Sequence, residues 1–100
     1  MTWDLDAFTQ SLTAASPNTI VAYRADVEAF AKWVERSGHV GTSDVDRIML
    51  RRYLAHLSTR RYAKRTIARK AAALRRYFDW CRRTARAPTD PARHLSAPSG

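Results

Sequence analysis

Residues 16–38 read SPNTIVAYRADVEAFAKWVERSG, and their punctuation decides the fold class. Ser16 is the residue type that accepts backbone N–H groups at a helix start. Pro17 follows at the first helical position, where a missing N–H costs nothing, and Gly38 supplies a left-handed stop. Between them Ile20, Tyr23, Val27, Phe30 and Val34 share one face at helical spacing, with Trp33 at its edge. Glu28, Lys32 and Arg36 lie on the opposite side. The pattern predicts a helix from Pro17 to about Ser37 with its apolar face in a core.

The same signals recur on both sides of this stretch. Upstream, Leu5, Phe8 and Leu12 at i, i+3 and i+7 predict a helix from about Asp4 to Thr13, with Asp4 as N-cap and Trp3 and Phe8 in the two positions of a hydrophobic staple. Downstream, a loop through His39, Gly41 and Asp44 leads to Asp46, the N-cap of a third helix that buries Leu50, Tyr53, Leu54 and Leu57 and leaves Arg47, Arg51 and Arg52 off the stripe. Ser58 to Ala63 read as a connector. A fourth helix, Lys64 to Ala85, carries Ile67, Ala71, Leu74, Phe78 and Cys81 on its apolar stripe, and Arg82 and Arg83 at the negative end of its dipole. Asp90-Pro91 can begin one more helical turn, and Ser96 to Gly100 read as linker. The expected fold is all-α: a four-helix domain over residues 1–95, with a short fifth turn, followed by a linker at 96–100.

Composition narrows the function. One hundred residues accommodate one domain, and 45% hydrophobic content with ten aromatic residues is too rich for a disordered chain. No apolar run approaches the ~20 residues that span a bilayer, and the N-terminus lacks a signal-peptide pattern, so a cytoplasmic protein without a membrane partner is expected. Cys81 is the single cysteine, which excludes an intrachain disulfide and reads as a small buried hydrophobe. The net charge is +9, and its placement says more. Residues 1–46 hold three basic and seven acidic residues, a balance of −4, whereas residues 47–100 hold fifteen basic and two acidic ones, a balance of +13. Such self-repulsion calls for a polyanionic partner, nucleic acid first and an anionic membrane surface second.

On the fourth helix, a projection at 100° per residue brings Arg65, Arg69 and Arg76 together almost opposite the apolar stripe, flanked by Thr66 and Lys70, with Ala73 and Trp80 to one side. Arginines on a long helix can grip phosphates or pair with guanine edges in a major groove. A merely solvated face is the alternative; against it stands the single acid on this helix, Asp79, which leaves most of the arginines without an i,i+4 partner. At the start of the second helix, Thr19 and Arg24 can add phosphate contacts, although first-turn capping explains Asn18 and Thr19 equally well. His39, His56 and His94 show no metal-ligand spacing, and no Gly-rich phosphate loop is present, so neither a cofactor nor an active site is expected within these residues. Tyr62 is expected to pack onto Ile67. Two other readings remain open: a stand-alone helix-turn-helix regulator, disfavoured because the connector exceeds the usual ~3–4-residue turn, and a basic protein-interaction module.

The run from Ser16 to Trp33 resembles the S-x-N-T-x-x-x-Y-x-x-D-x-x-x-F-x-x-W signature of the N-terminal core-binding domain of tyrosine recombinases of the Xer and phage-integrase type. Tyr53-Leu54-Ala55-His56-Leu57, Arg65-Thr66-Ile67-Ala68-Arg69 with Leu74-Arg75, Phe78-Asp79-Trp80 and Asp90-Pro91-Ala92 extend the resemblance over nearly the whole chain. It implies a SAM-like orthogonal four-helix bundle that clamps one face of double-stranded DNA for recombination and integration. In that family the second and fourth helices approach the major groove, which implies contacts from Thr19, Arg24, Lys64, Arg65, Thr66, Arg69 and Arg76; the helical projection adds Lys70. The resemblance also implies a separate catalytic domain after Pro98, other recombinase subunits as partners in a synaptic tetramer, a monomeric isolated domain and a nucleoid-associated location. Arg61 and Ala63 depart from the family, which often has Gly and a capping Ser there.

Overall fold

The computed structural model describes residues 3–39 and 41–98. It is all-helical among those residues, with four helices: α1 (Leu5–Ser11), α2 (Pro17–Arg36), α3 (Arg47–Thr59) and α4 (Lys64–Arg83), and a single 3-10 turn at Thr42–Asp44. Three of the helix starts were legible from their caps, and two of those caps form. The Ser16 side chain accepts from the Thr19 N–H at 3.2 Å, and Asp46 Oδ1 accepts from the Met49 N–H at 2.8 Å. Asp4 does precede α1, but it sits at φ 52 and its side chain caps nothing; its carboxylate accepts from Arg86 Nε at 2.9 Å instead. That helix is also shorter than expected, ending at Ser11.

Three helices end in the same way. After α2 the Gly38 N–H donates to the Glu35 carbonyl and the His39 N–H to that of Val34; after α3, Arg61 and Tyr62 donate to Ser58 and Leu57; after α4, Ala85 and Arg86 donate to Arg82 and Cys81. This paired stop requires a left-handed residue at its centre, and φ is 88° at Gly38, 60° at Arg61 and 59° at Ala85. Glycine takes that conformation freely, while an L-residue gives up about 1–2 kcal/mol. Ala63, the residue before α4, has extended φ and ψ but no side chain to cap with. Arg61→Gly with Ala63→Ser is therefore expected to stabilise the domain by about 1.5 kcal/mol, the cap supplying about 1 of it. Thermal unfolding should show Tm higher by roughly 5–10 °C; an unchanged Tm would show that the α3–α4 junction carries no strain.

The core is aromatic. Trp3, Phe8, Phe30, Tyr77 and Phe78 are fully buried, joined by Val27, Val34, Leu50, Leu54 and Leu74. Trp3 stacks on Tyr77 with ring centroids 5.8 Å apart and meets Phe30 and Phe78 edge-on, and the Tyr77 hydroxyl donates to the Trp3 carbonyl at 2.5 Å. Phe30 in turn meets Tyr53 at 4.9 Å, which carries the ring network from α1 through α2 and α4 to α3. Every residue expected on the α3 and α4 stripes is buried, whereas Ile20, Tyr23 and Trp33 of α2 are only partly covered. Tyr62 does not join the core: it is 46% exposed, with Lys70 Nζ 6.0 Å from its ring centre.

The segment after α4 folds back. Asp90 Oδ1 accepts from the Ala92 N–H, the Leu95 N–H donates to the Ala92 carbonyl, and Ala92 and Leu95 are buried. These bonds make a turn at residues 91–94, where one further turn was expected, with Asp90 at its start. Arg75 Nη1 donates to the Leu95 carbonyl at 2.6 Å and pins that turn against α4.

Candidate nucleic-acid interface

Nine residues of α4 are buried: Ile67, Lys70, Ala71, Ala73, Leu74, Tyr77, Phe78, Trp80 and Cys81. At 100° per residue they cover about half the circumference, a wider arc than one apolar stripe, because Ala73, Tyr77 and Trp80 form a second buried face. Tyr77 and Trp80 meet Phe8 of α1 there. The remaining arc carries Arg65, Ala68, Arg69, Ala72, Arg76, Asp79 and Arg83, with Lys64, Arg75 and Arg82 along one side. The alanines keep the middle of this strip low, so a surface can approach the helix closely while the arginines reach along it. Arg83 is tied to Asp79 at 2.9 Å. Lys64, Arg65, Arg76 and Arg82 have no acceptor among the described residues and are exposed.

One edge of the strip is built around a buried carboxylate. Asp26, on α2, is 1% exposed. Its two oxygens accept from Arg69 Nε at 2.9 Å and Nη2 at 2.8 Å, and Oδ1 also accepts from Lys70 Nζ at 3.1 Å. A buried acid is tolerated when its charge is matched and its lone pairs are filled, and two cations forty-odd residues away do both. The Arg69 guanidinium is held charged, its pKa raised above its ordinary value chiefly by the hydrogen bonds to Asp26. Its side chain stays 46% exposed, and a guanidinium has five N–H donors, so three remain for an external acceptor.

The eight residues expected to contact DNA thus fall into distinct settings. Lys64, Arg65 and Arg76 are outward and unpaired. Arg69 faces outward at the strip's edge while bound to Asp26. Arg24 is paired with Asp6 of α1 at 2.7 Å. The Thr19 hydroxyl accepts from Ser16 Oγ at 2.9 Å, so Thr19 belongs to the α2 cap, and Thr66 is half-buried. Lys70 is the correction: expected beside Arg69 on the outward face, it lies 8% exposed in the interior with its ammonium on Asp26. The projection puts it nearer the core than the strip, and the buried acid draws it in.

Asp26 itself was missed, although its position carried a signal. It falls between Tyr23, Val27 and Phe30 at core spacing, where an acid requires an internal partner. Arg86 was missed too; its guanidinium lies 4.3 Å from the Trp80 ring centre and is bonded to Asp4. Cys81, Tyr53 and Tyr77 are sequestered in the core. Burial pushes the Cys81 thiol up to about 11 and the Tyr53 phenol up to about 12, and raises the Tyr77 phenol further.

Residues 5–85 match the family described as phage integrase, N-terminal SAM-like domain. The chain belongs to that family. Among relatives of this SAM-like domain, a tyrosine recombinase XerC from Azotobacter vinelandii is 36% identical over 97% of the chain and 33% of the relative's length. A XerD from Bradyrhizobium diazoefficiens is 37% identical over 84% of the chain and 26% of its own length, and a XerC from Herpetosiphon aurantiacus is 35% identical over 81% and 26%. The SAM-like domain described here therefore spans about a quarter to a third of the curated relatives it matches. No solved structure matches it significantly. No described helix is long and apolar enough to cross a membrane.

Proposed function

We propose that this SAM-like domain is the DNA-clamping part of a site-specific tyrosine recombinase, acting in recombination and integration. In this reading residues 1–95 hold one face of duplex DNA along α4, residues 96–100 begin a linker, and the strand-exchange chemistry belongs to a separate catalytic domain. The domain alone is monomeric, meets other recombinase subunits only as part of the full-length protein, and works in the cytoplasm on the nucleoid.

The observation that carries the reading is where unpaired positive charge collects. Among the described residues eleven of the eighteen cations lack an acceptor, and all of these except Arg36 lie at or beyond Arg47. Acids of the first half neutralise Arg69, Lys70 and Arg86 but leave the strip on α4 charged. The phosphate backbone is the polyanion that matches a row of guanidinium groups set along a straight helix.

Salt dependence supplies the test. If ~5 phosphates are neutralised, log K for duplex DNA against log[salt] should have a slope near −4.5, and Arg65→Ala with Arg76→Ala should reduce its magnitude by nearly 2 without lowering Tm. A flat salt response, or binding to anionic vesicles in place of duplex DNA, would select a protein- or membrane-interaction module. The helix-turn-helix reading loses its connector objection, since α3 runs to Thr59 and only residues 60–63 join it to α4. An effector-responsive dimer on a palindromic site would favour that reading.

A further inference from the structure

A second group of cations lies off the α4 strip. Arg47 and Arg51 from the first turns of α3 and Arg93 and His94 from the C-terminal turn line one concavity of about 150 Å³, together with Pro91, Leu95 and Ser96. All three arginines are exposed, and none has an acceptor among the described residues. Arg47 and Arg51 stand at i and i+4, a like-charge spacing that destabilises a helix unless an anion lies between them. The acids nearest in sequence are engaged with backbone: Asp46 caps α3, and Asp90 accepts from the Ala92 N–H.

The wall contributed by the tail is fixed. His94 is held at φ 65, the Leu95 N–H closes the turn onto Ala92, and Arg75 ties the Leu95 carbonyl to α4. Arg75 also stands beside the outward strip of α4, so its bond to the Leu95 carbonyl ties a residue lining the concavity to that helix. Its volume is below the ~300–1,000 Å³ of pockets that enclose a whole organic ligand. Three guanidinium groups around a space of phosphate size are a set of donors for tetrahedral oxyanion oxygens.

We propose that Arg47, Arg51 and Arg93 form a phosphate site that takes a backbone phosphodiester of the same duplex that α4 meets. The assignment rests on the DNA-clamping reading and extends it from one helix to α3 and the C-terminal turn. Base readout is not part of it, since these side chains reach phosphate oxygens and contribute register and affinity.

The test compares three forms of the chain on a short fluorescein-labelled duplex, by anisotropy across a salt series. Arg47→Ala/Arg51→Ala/Arg93→Ala is expected to bind at least ten-fold more weakly at low salt, with a slope shallower by roughly 0.9 for each phosphate that is no longer neutralised. Lys32→Ala/Arg36→Ala/Arg52→Ala removes the same number of cations elsewhere and is expected to keep the parent slope. Unchanged circular-dichroism melts confirm that both variants fold. Equal losses in the two variants, or a parent slope retained by the first, would overturn the site. Titration of the parent chain with inorganic phosphate separates the two sources of the anion: saturable shifts of the Arg47, Arg51 and Arg93 Nε–H resonances with free phosphate but none with duplex would also overturn it. A parent chain whose binding ignores salt fails the DNA reading itself, a result distinct from either.

Discussion

Asp26→Asn is expected to cost about 3–5 kcal/mol of folding stability, the usual consequence of removing one partner from a buried charge cluster. A domain of this length has about 5–15 kcal/mol in all, so the variant should be close to unfolding. Asp26 accepts three hydrogen bonds and is 1% exposed. Its amide replacement leaves the Lys70 ammonium buried without a counter-charge and turns an N–H₂ toward Arg69. The three members are not equivalent. Lys70→Met leaves Asp26 its bidentate arginine and fills the same space with apolar atoms, so its cost should be far smaller. Arg69→Ala leaves Lys70 in place and removes a side chain already 46% exposed, where solvent screens the pair. Urea unfolding of the three single variants and of Asp26→Leu/Lys70→Met should place Asp26→Asn lowest and return the double variant most of the way to the parent. An Asp26→Asn stability within about 1 kcal/mol of the parent would show that the carboxylate is not what holds α2 to α4.

This cluster alters the meaning of an arginine on the predicted contact face. Arg69 projects from the solvent side of α4, yet two of its donors are committed inward and orient the rest. Removing it should therefore do two things at once: shallow the salt dependence of DNA binding and weaken the α2–α4 contact. Arg65 and Arg76, which have no ion-pair partner among the described residues, should do only the first. That contrast between variants distinguishes a positioned arginine from free ones more clearly than affinity alone.

Much of the fold was legible because helix signals are local. Ser16, Asp46 and Gly38 act within a turn of their own position, and the apolar spacing of α3 and α4 names residues that are all buried. Outward placement was legible only where a side chain has no ion-pair partner among the described residues, as for Lys64, Arg65 and Arg76. Lys70 and Arg69 could not be placed without knowing that residue 26 lies beside them, a relation between residues 43 and 44 positions apart. The turn after Asp90-Pro91 was legible because its signal is local, with Asp90 accepting from the Ala92 N–H, but its packing was not, since that depends on Arg75 reaching the Leu95 carbonyl. The uneven charge of the two halves pointed to a polyanionic partner but did not show that acids of the first half pair with Arg69, Lys70 and Arg86.

Trp3→Ala is expected to cost a further large amount, about 3–5 kcal/mol, although the residue stands outside any helix and only two positions from the start of the sequence. Its indole is fully buried, stacked on Tyr77 and set edge-on to Phe30 and Phe78, so it fills the space where α1, α2 and α4 meet. Its carbonyl also receives the Tyr77 hydroxyl. Truncation would leave a ring-sized cavity lined by three aromatic side chains, which cannot collapse without moving α4. Trp3→Phe separates packing from polarity. The indole Nε1 is buried with no hydrogen-bond partner among the described residues, so the phenyl loses volume but also relieves that N–H, and its cost should be well under half that of alanine. Chemical denaturation of the two variants, followed by near-ultraviolet circular dichroism, measures both. Because Phe30 and Phe78 belong to the helices that carry Asp26 and Arg69, DNA affinity in Trp3→Ala should fall only in step with the folded fraction. A folded Trp3→Ala protein with impaired binding would place Trp3 in the binding machinery and not in the core.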